Sequence, residues 1–415
     1  MRITLSHIIY STLTVLTAMS TASCSMMTEN RDDCPTGLYV RFTYDYNTMR
    51  ADMFKDHVGH VRLYVFDEEG RLAAQRTVSN TDGNAPISRY GYTMHFTEQE
   101  LPAGHSYRLQ AVAMQRDWDV ALDDEGAKYR FSASPTDNSE SMKISLDHDS
   151  EPIAGTQQYP VSAAAPLDTL WHTLKVTPHA PVDGIVSPEI DRTAKPYSIY
   201  PQEDQLVRLE PGHATYATVS LIRDTKHLNI TLRHVDEPET VFASDYEVRI
   251  VDRNAHLTHD NTVLTDDCLR YTPYASWTTR MLNDNTVEIE DVITGNPGQY
   301  HAAAKAASDA DDNVKERSAH FNLMFNRIMY NAASNEDNAM LEILNKNTGE
   351  LVANVNLPYI LSVGRQAYEI QNYSQQEYLD REYDYHLDFF LKGGKWVEIE
   401  VHVLSWSKRV QNVEL

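Results

Sequence analysis

From position 38 the chain alternates apolar and polar residues with a period of two. Leu38, Val40, Phe42 and Tyr44 share one side, while Arg41, Thr43 and Asp45 share the other. That is the pattern of a half-buried strand. Val61, Leu63 and Val65 alternate in the same way with Arg62, Tyr64 and Phe66, and Asp67-Glu68-Glu69-Gly70 ends the run with turn chemistry. Further strands are expected over 90–96, 106–114 and 142–146, with Pro102-Ala103-Gly104 breaking the chain between the first two. Short strands at this spacing, almost without helical periodicity, predict an antiparallel β-sandwich over about residues 36–150.

The pattern then fails. Residues 151–204 carry proline at 152, 160, 166, 178, 181, 188, 196 and 201. Proline cannot donate to a sheet ladder, so this stretch is expected to be a linker or a set of edge segments. Alternation returns at Val219 and Leu221, at Leu228, Ile230 and Leu232, and at Tyr246, Val248 and Ile250. It continues through 321–330, 340–345 and 351–355, with Asn347-Thr348-Gly349 as a hairpin turn between the last two. Ser374-Gln375-Gln376-Glu377 has capping-box spacing and predicts a short helix to about Glu382. A closing hairpin turns at Lys392-Gly393-Gly394-Lys395, after which Val397, Ile399, Val401 and Val403 alternate with Glu398, Glu400 and His402. The tail from Val410 to Leu415 is again strand-like. A second sandwich is therefore expected over 205–415, interrupted near 295–319 by an Ala- and Asp-rich stretch that predicts a mobile insertion.

The first 23 residues have a different character. A basic start at Arg2, an apolar run from Ile3 to Met19 and the small residues Ser20 to Ser23 have the layout of an export signal. Cys24 follows directly, which predicts a lipoprotein whose new N-terminal cysteine carries acyl chains, with 24–35 as a polar tether. Thr21 stands where an aliphatic residue is usual, and plain secretion with cleavage beside Ala22 or Ser23 is the alternative. Each acyl CH₂ buried in a bilayer contributes about 0.8 kcal/mol, so two or three chains hold where one would not.

Composition narrows the partners. The formal charge of −24, from 36 basic and 60 acidic side chains, opposes binding to a phosphate backbone, so no nucleic-acid partner is expected. With Cys24 assigned to lipid, only Cys34 and Cys268 remain. In an exported chain they either form a disulfide or stay separate thiols. Catalytic signatures are missing: no zinc-hydrolase helix, nucleophile elbow, phosphate loop or dinucleotide glycine pattern occurs. Asp309-Ala310-Asp311-Asp312-Asn313 resembles a calcium loop, but Val314 and His320 replace its Gly and Glu. No catalytic residue, cofactor or metal is expected. A glycan-binding or glycan-processing surface protein is the competing class, and it predicts a cleft with exposed Trp118, Trp171 or Trp277.

One family combines these features. Asp33-Cys34-Pro35-Thr36-Gly37-Leu38-Tyr39-Val40-Arg41-Phe42-Thr43-Tyr44-Asp45-Tyr46-Asn47 resembles the opening of the fimbrial anchor lipoproteins of Bacteroidales, the FimB-type anchors of type V fimbriae. The likeness returns in Pro166-Leu167-Asp168-Thr169-Leu170-Trp171-His172, in Val219-Ser220-Leu221-Ile222-Arg223-Asp224-Thr225-Lys226 and in Tyr383-Asp384-Tyr385-His386-Leu387-Asp388-Phe389. It ends with Val403-Leu404-Ser405-Trp406-Ser407. The resemblance implies two transthyretin-like sandwich domains, attachment to the outer membrane through acylated Cys24, and pilin subunits as partners at the base of a fimbrium. It also implies assembly by strand complementation, with β-augmentation as its physics. On that basis the first strand is expected to stay in place, and the C-terminal segment with Val410, Val413 and Leu415 to contact the neighbouring subunit. The alternative for that segment is the last strand of its own domain. An adhesin at the fimbrial tip is a third reading of the same fold.

Overall fold

The computed structural model describes residues 35–81, 83–133, 138–179, 206–295, 305–306, 313–366, 372–403 and 406–411. The expected export signal, most of the expected tether, Cys24, Cys34, Val413 and Leu415 lie outside these residues.

The first half contributes β1 (Gly37–Thr43), β2 (His60–Phe66), β3 (Leu72–Ser79), β4 (Thr93–Phe96) and β5 (Ser106–Met114). It continues with β6 (Tyr129–Ala133), β7 (Lys143–Leu146), β8 (Gln158–Pro160), β9 (Leu170–His179), β10 (Val207–Arg208) and β11 (Ala214–Arg223). Next come β12 (Lys226–His234), β13 (Tyr246–Asp252), β14 (His256–Thr258), β15 (Val263–Leu264), β16 (Cys268–Tyr271) and β17 (Ala275–Leu282). They are followed by β18 (Val287–Thr294), β19 (Lys305–Ala306), β20 (Val314–Phe325), β21 (Met340–Asn345) and β22 (Leu351–Asn356). The last strands are β23 (Asp384–Lys392), β24 (Lys395–Val403) and β25 (Trp406–Gln411). Among the described residues four short α-helices interrupt them: α1 (Phe54–His57), α2 (Trp118–Asp123), α3 (Leu357–Ser362) and α4 (Gln375–Arg381). The expected all-β class is borne out.

The first sheet runs β3-β2-β5-β9-β11-β1-β4, with β10 added beside β5. Leu38, Val40, Phe42, Val61, Leu63, Val65, Leu109, Val219 and Leu221 point into one buried cluster. These are the positions that the period of two selects. The sheet curls around this core until its edges meet, where Arg76 of β3 donates to the His95 carbonyl in β4 and lies over Phe96. Its other face is covered as well. Trp118 of α2 stacks on Phe131 of β6 with ring centroids 4.9 Å apart, and Tyr64 meets the same ring edge-on.

In the second half an eight-stranded sheet, β19-β18-β17-β20-β12-β23-β24-β25, packs on a five-stranded sheet, β22-β21-β13-β16-β8, and a four-stranded sheet, β15-β14-β7-β6. Leu228, Ile230, Phe321, Leu323, Leu387, Phe389 and Ile399 face Val248, Ile250, Leu257, Leu341 and Ile343 across a shared core. Most ladders are antiparallel. Two long ones are parallel: β1 with β11 and β12 with β23.

The sheets divide between Arg223 and Lys226, and this corrects several expected assignments. β9 lies inside the expected linker yet is a central strand of the first sheet, between β5 and β11. The proline density hid it, but no proline falls between Leu170 and Thr177. β5 reaches only Leu170 to His172, so Pro178 needs a partner on the β11 side alone. β8, from the same stretch, lies at the edge of the five-stranded sheet among the described strands. β11, placed in the second domain by its sequence, belongs to the first sheet. β6 and β7 run the other way: they come from the expected first domain, and β7 pairs with β14. The Ala- and Asp-rich insertion also ends sooner than expected, because β20 begins at Val314 and buries Ala319 between Leu232 and Thr278. The capping box held as expected: the Ser374 hydroxyl accepts from the Glu377 amide at 3.0 Å and opens α4.

Candidate functional site

With neither a catalytic constellation nor a cofactor motif in the sequence, the features most able to act are the chain's terminal strands and the link between them. β1 is held on both sides. Gly37 to Thr43 pair with β11, and Leu38 to Arg41 also pair with β4. Leu38 and Val40 are 0% exposed, and each such burial contributes about 1.5–3 kcal/mol. The strand enters through Gly37, whose φ of 86° suits glycine and where any side chain would collide with the Phe96 carbonyl oxygen.

β25 has the opposite setting. It pairs with β24 from Glu398↔Gln411 to Val403↔Trp406, and among the described residues no strand lies beyond it. Val410 packs half-buried against the core opposite Ile399. On the other face Arg409 bridges Glu398 at 3.0 Å and Glu400 at 3.1 Å and covers the Phe390 ring. Among the described residues the outer side of β25 is thus left without a neighbouring strand, and the bordering charges discourage indiscriminate pairing. Cys268 opens β16, half-buried, and burial pushes its thiol up.

The two sheets are joined through a buried polar knot that the sequence reading missed. Asp224 and Thr225, which link β11 to β12, are fully buried. The Asp224 carboxylate lies 2.5 Å from His172 Nδ1 and accepts from Asn261 at 2.8 Å. The Thr225 hydroxyl accepts from the Leu170 amide and meets the Tyr129 hydroxyl at 3.0 Å. Next in the chain, Lys226 Nζ donates to the carbonyls of Asp380 and Glu382 at 2.8 and 2.9 Å. Burial pushes Lys226 down to about 7. The Arg327 guanidinium forks onto Asp380 at 2.7 and 3.0 Å, with both side chains at most 1% exposed. Thr48, just past β1, donates to Glu382 at 3.0 Å, and burial raises the Glu382 carboxyl. Arg381 lies 4.0 Å over the Tyr46 ring. The only signal in the sequence is a cluster of ionisable residues beside apolar strand ends, which on its own suggests an exposed turn.

The tryptophans proposed for a glycan cleft are not exposed. Trp118, Trp171 and Trp277 are 4%, 1% and 3% exposed and sit within the packed body, which overturns the expectation attached to that reading.

Comparison with known proteins adds three findings. The family model described as fimbrillin-A associated anchor proteins Mfa1 and Mfa2 matches residues 31–412. The minor fimbrium anchoring subunit Mfa2 of Porphyromonas gingivalis is 24% identical over 168 residues, which cover 36% of this chain and 52% of that one. The match thus spans about half the length of that curated relative. Among solved structures, a Bacteroides thetaiotaomicron protein proposed to bind polysaccharide aligns with a TM-score of 0.59 at 24% identity, over 91% of this chain and 99% of its own. Another from the same species, proposed as an adhesin, aligns with a TM-score of 0.61 at 20% identity over the same shares. At these identities the structural likeness speaks for the fold.

Proposed function

Because the chain belongs to the family of fimbrillin-A associated anchor proteins, whose model it matches over residues 31–412, we propose that it is an outer-membrane lipoprotein holding the base of a fimbrium through acylated Cys24. In this reading the lipid and tether fix the N-terminal end, and pilin subunits dock at the C-terminal end by strand complementation. The observation that carries it is the contrast between the strand ends. β1 is already flanked by β11 and β4, so it leaves no vacancy for a donated strand, whereas among the described residues no strand flanks the outer side of β25. A neighbouring subunit's extended segment adding to that edge would gain a ladder of main-chain hydrogen bonds, with alternate side chains setting register. A subunit that is closed at one end and open at the other stops growth, which accounts for limiting fimbrial length.

The test is deletion of residues 408–415, with thermal unfolding to confirm that the body still folds. Fimbriae are expected in the medium while the truncated protein stays in the membrane. Fimbriae that remain attached and of normal length overturn the docking role. Separately, labelled palmitate is expected to enter the wild type and not Cys24→Ala; equal labelling overturns the lipid anchor.

A further inference from the structure

Three ligand-type side chains converge on the outer face of the second eight-stranded sheet. β23 turns Tyr385, Leu387 and Phe389 into the core, so His386 and Asp388 project from the opposite side. His402 of β24 lies directly across from His386, with ring centroids 4.8 Å apart. His386 Nε2 stands 3.0 Å from Asp388 Oδ1, and His402 Nε2 stands 3.4 Å from Asp388 Oδ2. The three ligand atoms all lie within 4.8 Å of one another. His402 Nε2 is also enclosed, yet makes no well-aligned hydrogen bond among the described residues.

We propose that His386, Asp388 and His402 bind a first-row transition-metal dication, of which Zn²⁺ is the representative. Two imidazoles and one carboxylate suit zinc and its neighbours in the series, whereas calcium and magnesium prefer all-oxygen shells. Zinc holds nitrogen and oxygen at roughly 2.0–2.2 Å, which sets tetrahedral ligands roughly 3.3–3.5 Å apart. The separations of 3.0 and 3.4 Å reach the two different oxygens of Asp388, and the three ligand atoms lie within 4.8 Å, so rotamer adjustment of the partly exposed imidazoles brings the set together around the ion. All three residues stand on paired strands, so the site is largely organised before the ion arrives. Two groups compete. The Thr231 hydroxyl lies 3.4 Å from His386 Nε2, and Arg233 Nη2 lies 3.6 Å from Asp388 Oδ2. Arg233 has an alternative partner in Glu316, 3.9 Å away, and its side chain is partly exposed, so it can yield the carboxylate. A bound ion would clamp β23 to β24 at His402, which itself lies within the β24–β25 ladder opposite Ser407. The site stands whether or not the chain anchors a fimbrium.

A second group, His256 with Asp266 and Asp267, offers a single imidazole and exposed carboxylates, and it serves as the control. The test uses the purified chain in detergent, stripped with a chelator and titrated with Zn²⁺ by calorimetry. One equivalent is expected to bind, at least tenfold more weakly in His386→Ala and in His402→Gln, and unchanged in His256→Gln. Unfolding without metal establishes that the variants fold. Zinc X-ray absorption of the wild type, expected to show two imidazole ligands, gives a readout independent of any variant. The proposal falls if binding does not saturate, if His256→Gln abolishes it, or if absorption shows fewer than two imidazoles.

Discussion

The first and last strands of the described body have opposite settings. β1 is paired on two sides, while β25, among the described residues, is paired on one. Periodicity reports which face of a strand is buried and is silent about how many neighbours flank it. A strand's capacity to recruit a partner is therefore a property of its place in the sheet.

Four substitutions break or sharpen this contrast. Val40→Asp places a charge in the flanked strand with no partner, and is expected to cost on the order of 4 kcal/mol or more. Urea denaturation would show a collapsed midpoint or no folded protein; a midpoint near wild type would mean that β1 is not a core strand. Asp380→Ala strands Arg327 inside the knot that joins the two sheets, at an expected cost of about 3–5 kcal/mol by the same measurement. A loss under about 1 kcal/mol would show the knot to be wet.

The third turns on pH. Lys226 releases its proton near 7 when folded and close to 10 when unfolded, so between those values the unfolded chain binds more protons. Raising the pH through that window then favours the folded state, by up to a few kcal/mol. Lys226→Met should flatten the rise relative to wild type, and parallel profiles for the two proteins would exclude it. The smallest effect belongs to the free edge. Arg409→Ala removes ion pairs from an exposed side chain and should change stability by about 0–1 kcal/mol, less at high salt. A larger loss would mean that β25 is held as firmly as β1.

Much of this fold was legible in the sequence. Leu38, Val40, Phe42, Ile399 and Val401 were assigned to buried faces by period alone, and Ser374 marked the start of α4 by its capping pattern. What escaped has identifiable causes. Trp171, Thr173 and Lys175 alternate with Leu170, His172 and Leu174 in β9, but the fully buried His172 looks polar in sequence and the surrounding prolines suggest a linker. β17 is buried on both faces over most of its length, so it lacks the alternation that would mark it. The exchange of β7 to a strand more than a hundred residues away is set by long-range packing, to which no local pattern points. The candidate docking edge was half legible: a strand was expected from Val410 to Leu415, whereas β25 spans Trp406–Gln411, so only Val410 and Gln411 are common to both, and 412–415 lie outside the described residues.

The parallel pairing of β1 with β11 has a mechanical consequence. A pull entering at the Gly37 end of β1 and leaving at the Arg223 end of β11 loads their ladder in shear, because the two strands run the same way. All seven register pairs then share the force and must yield together, whereas an antiparallel hairpin pulled from its open end unzips one pair at a time. A body tugged between a membrane and a filament in flowing liquid would resist longest in that orientation.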